Sequence, residues 1–104
     1  RIMYSYPESI TEELVDVIRR HDNICSYFDM PIQHASNKIL KLMNRQTTRE
    51  ELLAKINMIR TAIPNATLRT TLITGFPGEL SLINLVCSHI QEKKELQQIN
   101  FLIT

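Results

Sequence analysis

Two periods of apolar positions alternate along this chain. The β-branched and aromatic run at residues 1–6 predicts a short strand, stopped by Pro7. Ser9 and Glu12 then have the spacing of a capping box. Leu14, Val15, Val17 and Ile18 follow at helical spacing, with acidic residues early and Arg19 and Arg20 late, as the helix dipole favours. Asp22-Asn23 marks a turn, and residues 24–32 predict a second strand with Pro31 near its end. Ser36 predicts the start of a short helix carrying Ile39, Leu40 and Met43 on one face. Thr48 and Glu51 form a second capping box, and Leu52, Ile56, Ile59 and Ile63 carry one long helix to Pro64-Asn65.

Residues 67–74, rich in Thr, Leu and Ile, predict a third strand, with Arg69, Thr71 and Ile73 on one face and Leu68, Thr70 and Leu72 on the other. Gly75-Phe76-Pro77-Gly78 breaks it; a helix over 81–97 and a short fourth strand over 100–104 are expected beyond. Strands alternating with helices imply an α/β fold with parallel strands. A closed eight-stranded barrel takes roughly 200 residues or more. The 104 residues here supply an arc of one, about three parallel strands with covering helices.

Composition adds mainly exclusions. Apolar residues make up 43% and charged residues 22%, as in ordinary globular proteins, and the net charge of +1 argues against direct nucleic-acid binding or attraction to an anionic membrane. No apolar stretch approaches a membrane span. Cys25 and Cys87 lie far apart, outside any C-x-x-C or metal-ligand spacing, which suits a reducing cytoplasm. The chain opens on Arg1 without a signal-peptide pattern, which leads us to expect a piece of something longer.

In parallel α/β folds, ligands bind at the carboxyl ends of the strands. Three polar clusters fall there: Tyr6-Pro7-Glu8, the run from Asp29 to His34, and the run from Thr74 to Glu79. Gly75 would let the backbone approach a ligand, and Ile73 would offer a flat base an apolar surface; a turn that merely wants glycine explains the same residues. Gln33 and His34 can each donate and accept hydrogen bonds, although a histidine near a helix start is also an ordinary capping or solvated residue. Arg45 suits a carboxylate or phosphate, or simply the end of a helix. The glycine loop lacks the lysine of a phosphate-binding loop. Its Phe-Pro centre, the preceding strand and the following Glu79 do not suit the G-x-x-G clamp of a KH module.

Taken together, four stretches resemble the radical S-adenosylmethionine methylthiotransferases: residues 1–7, 27–36, 39–45 and 68–79. Tyr6-Pro7 and the Asp-x-Pro-x-Gln-His run resemble most the branch that methylthiolates an aspartate of a small-subunit ribosomal protein. The resemblance implies a partial (β/α) barrel, bound S-adenosylmethionine and 4Fe–4S clusters, one of which generates a 5′-deoxyadenosyl radical. It implies that Ile73, Gly75 and Glu79 line the adenosine side of the site, with Gln33, His34, Arg45 and Arg69 as further candidates for cofactor or active-site contacts. The family's C-x-x-x-C-x-x-C cluster loop is absent from this sequence. From Leu80 onward the family pattern is lost, so residues 1–79 form the barrel segment and 80–104 a divergent one. The expectation is a methylthiotransferase fragment, inactive alone. A fragment of the tRNA-modifying branch, or a non-catalytic βα binding module, is the alternative.

Overall fold

The computed structural model describes residues 1–79 and the backbone of residues 98–103. Parallel strands β1 (Tyr27–Asp29), β2 (Thr67–Thr74) and β3 (Gln98–Ile103) form one sheet in that order, with β2 central. Helix α1 (Glu12–Arg20) precedes β1, and α2 (Asn37–Leu42) and α3 (Arg49–Ala62) lie between β1 and β2. The α/β class and the parallel sheet agree with the sequence reading. The expected helix over 81–97 lies outside the described residues. The fourth expected strand is present as β3, beginning two residues earlier than expected.

Local chemistry explains α3 well. The Thr48 hydroxyl accepts from the Glu51 amide and the Glu51 carboxylate accepts from the Thr48 amide, so the expected capping box closes. Leu52, Ile56, Ile59 and Ile63 are all buried in the core. Asn37, at the start of α2, accepts from the Arg49 amide at 2.8 Å and donates to Glu50 at 3.0 Å, which ties the two helix starts together.

The first helix begins later than expected. Pro7–Ser9 is a 3-10 turn, and Thr11, not Ser9, caps α1 by accepting from the Leu14 amide at 3.2 Å. Ile10 is extended and fully buried, and reaching the core in that conformation delays the helix. Val15 and Ile18 face the core as expected, while Val17 faces solvent. Ser36 occupies the N-cap position of α2 without a side-chain bond.

The strands at the amino-terminal side are shorter than the apolar runs that predict them. Residues 1–6 contribute one parallel bridge, Ile2 with Phe28, because Tyr4 at φ 58° turns the chain out of the extended region. Within 24–32, only Tyr27–Asp29 forms a ladder. Pro31 brings no N–H to continue it. The Thr70 hydroxyl fills the gap, accepting from the Ile32 amide at 3.1 Å and donating to the Met30 carbonyl at 2.9 Å. The ladder then resumes at Gln33, whose amide donates to the Thr71 carbonyl and whose carbonyl accepts from Ile73. Asp29 pairs with Arg69 but Gln33 pairs with Leu72, so four steps along one strand match three along the other. One extra residue is thereby accommodated, with Gln33 at φ 67°.

Along β2, alternate residues are buried: Leu68, Thr70, Leu72 and Thr74. Leu68 and Leu72 pack into the core with Phe28, Ile10, Val15, Ile18, Leu52, Ile56 and Ile59. Arg69, Thr71 and Ile73 occupy the opposite face and remain half-buried. This is the division of faces that period-2 patterning predicts.

Candidate functional site

The carboxyl ends of β1 and β2 meet at one edge of the sheet. The detour through Pro31 and Gln33 brings the β1 loop against the last turn of β2, and three of the expected site residues converge there: Gln33, His34 and Glu79. Gln33 is stitched to β2 by its backbone, with its amide 3.0 Å from the Thr71 carbonyl and its carbonyl 2.7 Å from the Ile73 amide. Ile73 and Gly75 follow on β2 and just beyond it.

Gly75 has φ 76°, which favours glycine sterically. The next four residues form a turn in which the Glu79 amide donates to the Phe76 carbonyl at 2.9 Å. Pro77 and Gly78 occupy its two central positions and Gly78 has φ 91°, the pattern of a type II turn. A Cβ at Gly78 would lie 3.4 Å from Leu42 Cδ1, at ordinary contact, so its φ rather than lack of space favours glycine there. Glu79 closes the loop on itself: its Oε2 accepts from the amides of Gly75 (2.7 Å) and Phe76 (3.2 Å). Its Oε1 is buried, lies 3.3 Å from His34 Nε2, and makes no hydrogen bond of good geometry among the described residues.

Burial by itself pushes the Glu79 carboxyl pKa up. The donors His34, Gly75 and Phe76 outweigh it and hold the group below the ordinary value of 4.5. A carboxylate depressed in the folded state stabilises that state fully above the unfolded pKa, and the contribution is lost as the pH falls through the folded pKa. The loop is therefore expected to stay closed at neutral pH and to open under acid. In an NMR titration the amide protons of Gly75 and Phe76 should shift together with a midpoint below 4.5. A midpoint at or above that value, or two unlinked titrations, would contradict the closure.

Arg45 stands in a different place from His34 and Glu79. Left-handed Asn44 (φ 57°) ends α2, and Arg45 then donates its amide to the Leu40 carbonyl and lays its guanidinium over the Tyr6 ring, 5.8 Å from the centroid. It lines a small cleft with Pro7, Glu8, Pro31, Ile32, Gln33 and Thr47. Glu8 accepts from the Thr47 hydroxyl; that bond, with help from the positive charges of Arg45 and Lys55, holds its carboxyl below the usual range. Gln33 lines this cleft and is bonded to β2, so it joins the two sub-sites.

Arg69 lies on the half-buried face of β2, and its Nη1 donates to Asp29 Oδ2 at 2.7 Å. Asp29 is 0% exposed, and its Oδ1 has no hydrogen-bond partner among the described residues. This pairing is absent from the sequence reading, which treats Asp29 only as one member of a polar cluster. The two residues are 40 positions apart, and only the β1–β2 register makes them neighbours. Thr70, whose hydroxyl bridges the Pro31 gap, was likewise legible only as a core-facing position.

The residues described do not fit an iron–sulfur cluster. Among them no group of three His, Cys, Asp or Glu side chains could hold a metal ion, and Cys25 is exposed and stands far in sequence from Cys87. Among the described residues no helix is long and apolar enough to cross a membrane.

Residues 1–80 match the family model described as the Radical SAM superfamily. Curated relatives named ribosomal protein uS12 methylthiotransferase RimO are similar to this chain. That of Clostridioides difficile (strain 630) is 76% identical over 79 residues, covering 76% of this chain and 18% of the relative. That of Clostridium perfringens (strain SM101) is 54% identical over 79 residues, again 18% of the relative. That of Clostridium acetobutylicum is 50% identical over 93 residues, covering 88% of this chain and 21% of the relative. The chain thus spans about a fifth of the length of these relatives. The resemblance to methylthiotransferases of the ribosomal-protein branch, carried by four sequence stretches, agrees with these matches.

Proposed function

Since the chain belongs to the Radical SAM superfamily, we propose that it supplies a cofactor-side arc of the barrel of a methylthiotransferase that acts on ribosomal protein uS12. The observation that supports this best is the end of β2. There the half-buried face of Arg69, Thr71 and Ile73 runs into a left-handed Gly75 and a loop closed by Glu79. Such a surface offers an apolar side chain and close backbone approach to a flat base. Relatives named for the modification of uS12, at up to 76% identity, support the choice of substrate.

In this reading Ile73 and Gly75 face the adenosine of S-adenosylmethionine, and Gln33 and Arg45 border it from the neighbouring cleft. Arg69 sets the polarity of the inner face through Asp29. S-adenosylmethionine, when bound, supplies the radical chemistry of the family. The residues of this chain bind and orient it and keep the loop shaped. Cluster thiolates come from outside this segment, so the chain alone is inactive in methylthiolation. The division between a barrel segment at 1–79 and a divergent segment at 80–104 belongs to the same proposal, and the end of the family match at residue 80 supports it.

A chimera tests the reading. Residues 1–79 of this chain replace the matching segment of the Clostridioides difficile relative, and methylthiolation of uS12 is followed by mass spectrometry. We expect activity within about tenfold of the parent, a loss of no more than about 1.4 kcal/mol of transition-state stabilisation. A folded chimera that carries its clusters and leaves uS12 unmodified would overturn the proposal.

A further inference from the structure

His34 is 5% exposed, so its ring is poorly placed to touch a ligand. Its surroundings fix which ring nitrogen accepts a hydrogen bond. The Ser36 backbone amide donates to Nδ1 at 2.9 Å, and a backbone N–H can only donate. Nδ1 must therefore present a lone pair, and the single proton of the neutral ring sits on Nε2. Nε2 is the atom that faces Glu79 Oε1 at 3.3 Å. Glu79, through its other oxygen, holds the amides of Gly75 and Phe76. A continuous run of contacts thus leads from the start of α2 to the glycine at the end of β2.

We propose that His34 is a positioning residue: locked as the Nε2–H tautomer by Ser36, it orients the Glu79 carboxylate, which in turn holds the Gly75–Phe76 backbone in its ligand-ready shape. The role assigned to the loop rests on the functional reading above; the geometry of the relay does not. His34 makes the two strand-end loops one unit. The Asp29-to-His34 run and the Gly75-to-Glu79 run, separate in sequence, become parts of a single platform.

Two substitutions separate the two ends of the ring. In His34→Asn the amide can replace Nδ1 as acceptor for Ser36, but nothing reaches Glu79. In His34→Gln the longer side chain can replace the Nε2 donor. We expect His34→Asn to speed hydrogen exchange at Gly75 and Phe76 by about tenfold, since the buried Nε2–Oε1 contact that orients Glu79 is lost. His34→Gln should restore most of the protection, while the Ile59 amide in α3 stays protected in both. Equal exchange in the wild type and His34→Asn would overturn the proposal, as would restoration by Asn rather than Gln.

Nitrogen NMR of the wild-type histidines gives a second reading that needs no variant: His34 should show a protonated Nε2 and a bare Nδ1, and the opposite tautomer would overturn the relay. In the chimera, His34→Asn should raise KM for S-adenosylmethionine with little change in kcat. A loss confined to kcat would overturn the assignment to positioning. An inactive parent chimera with the expected exchange pattern would count against the functional reading and support the relay.

Discussion

Ile59→Ala should destabilise the fold by about 2–5 kcal/mol, the range for truncating a large aliphatic side chain in a packed core. Ile59 is 0% exposed and is among the largest fully buried side chains of the chain. It projects from α3 into the cluster that includes Leu68 and Leu72 of β2, so it supports the strand that carries the candidate site. Small domains have only about 5–15 kcal/mol of net stability, so the loss would be a large share of the total. Urea unfolding would show it as a lower midpoint with an unchanged slope. Ile59→Val should cost only about 0.5–1.5 kcal/mol, because a smaller void is left. If Ala and Val cost the same, the packing described around α3 is wrong. A flexible loop would not be expected to obey this ordering; a packed core would.

The second large effect concerns the half-buried face of β2 that carries Arg69. Arg69→Met should destabilise the chain by more than half as much as Ile59→Ala does. The cost comes less from the lost attraction than from the charge left behind: Asp29 is fully buried, and its Oδ1 already lacks a partner among the described residues. Without the Arg69 guanidinium at 2.7 Å, Oδ2 is stranded as well. A double variant decides whether the pair is the cause. Asp29→Leu with Arg69→Met removes both charges together and should recover most of the lost stability, because two apolar groups leave nothing to desolvate. If the double variant is as unstable as Arg69→Met, the pair is not what holds this face, and the stem of Arg69 must matter through packing. The same two variants bear on function. Restored stability without restored cofactor affinity in the chimera would mean that the charge of Arg69 also serves the ligand.

These effects show where the sequence was informative. The capping box of Thr48 and Glu51 and the buried series Leu52, Ile56, Ile59 and Ile63 were legible because each contact spans three or four residues. The faces of β2 were legible because a strand has a strict period of two. The first capping box was not, because Ser9 and Glu12 have the right spacing while the demand to bury Ile10 lies elsewhere in the fold. The run at 24–32 forms a shorter strand than its composition predicts for a similar reason. Its composition is that of a strand, but Pro31 interrupts the ladder and Thr70, 39 positions on, repairs it. Apolar composition reports a preference for extended backbone; pairing depends on a partner strand.

By itself, then, the sequence determined the α/β class, the order of the helices and strands from residue 12 to 74, which residues of β2 share a face, and a family resemblance that the matched relatives share. Local spacing and residue type carry all of these. The tertiary structure alone decided that His34 meets Glu79, that Asp29 meets Arg69, and that Arg45 stands over Tyr6 in a neighbouring cleft. Those contacts join residues some 40 positions apart. Asp29 meets Arg69 through the regular β1–β2 register, and His34 meets Glu79 beyond the extra residue at Gln33, geometric results that no local pattern encodes.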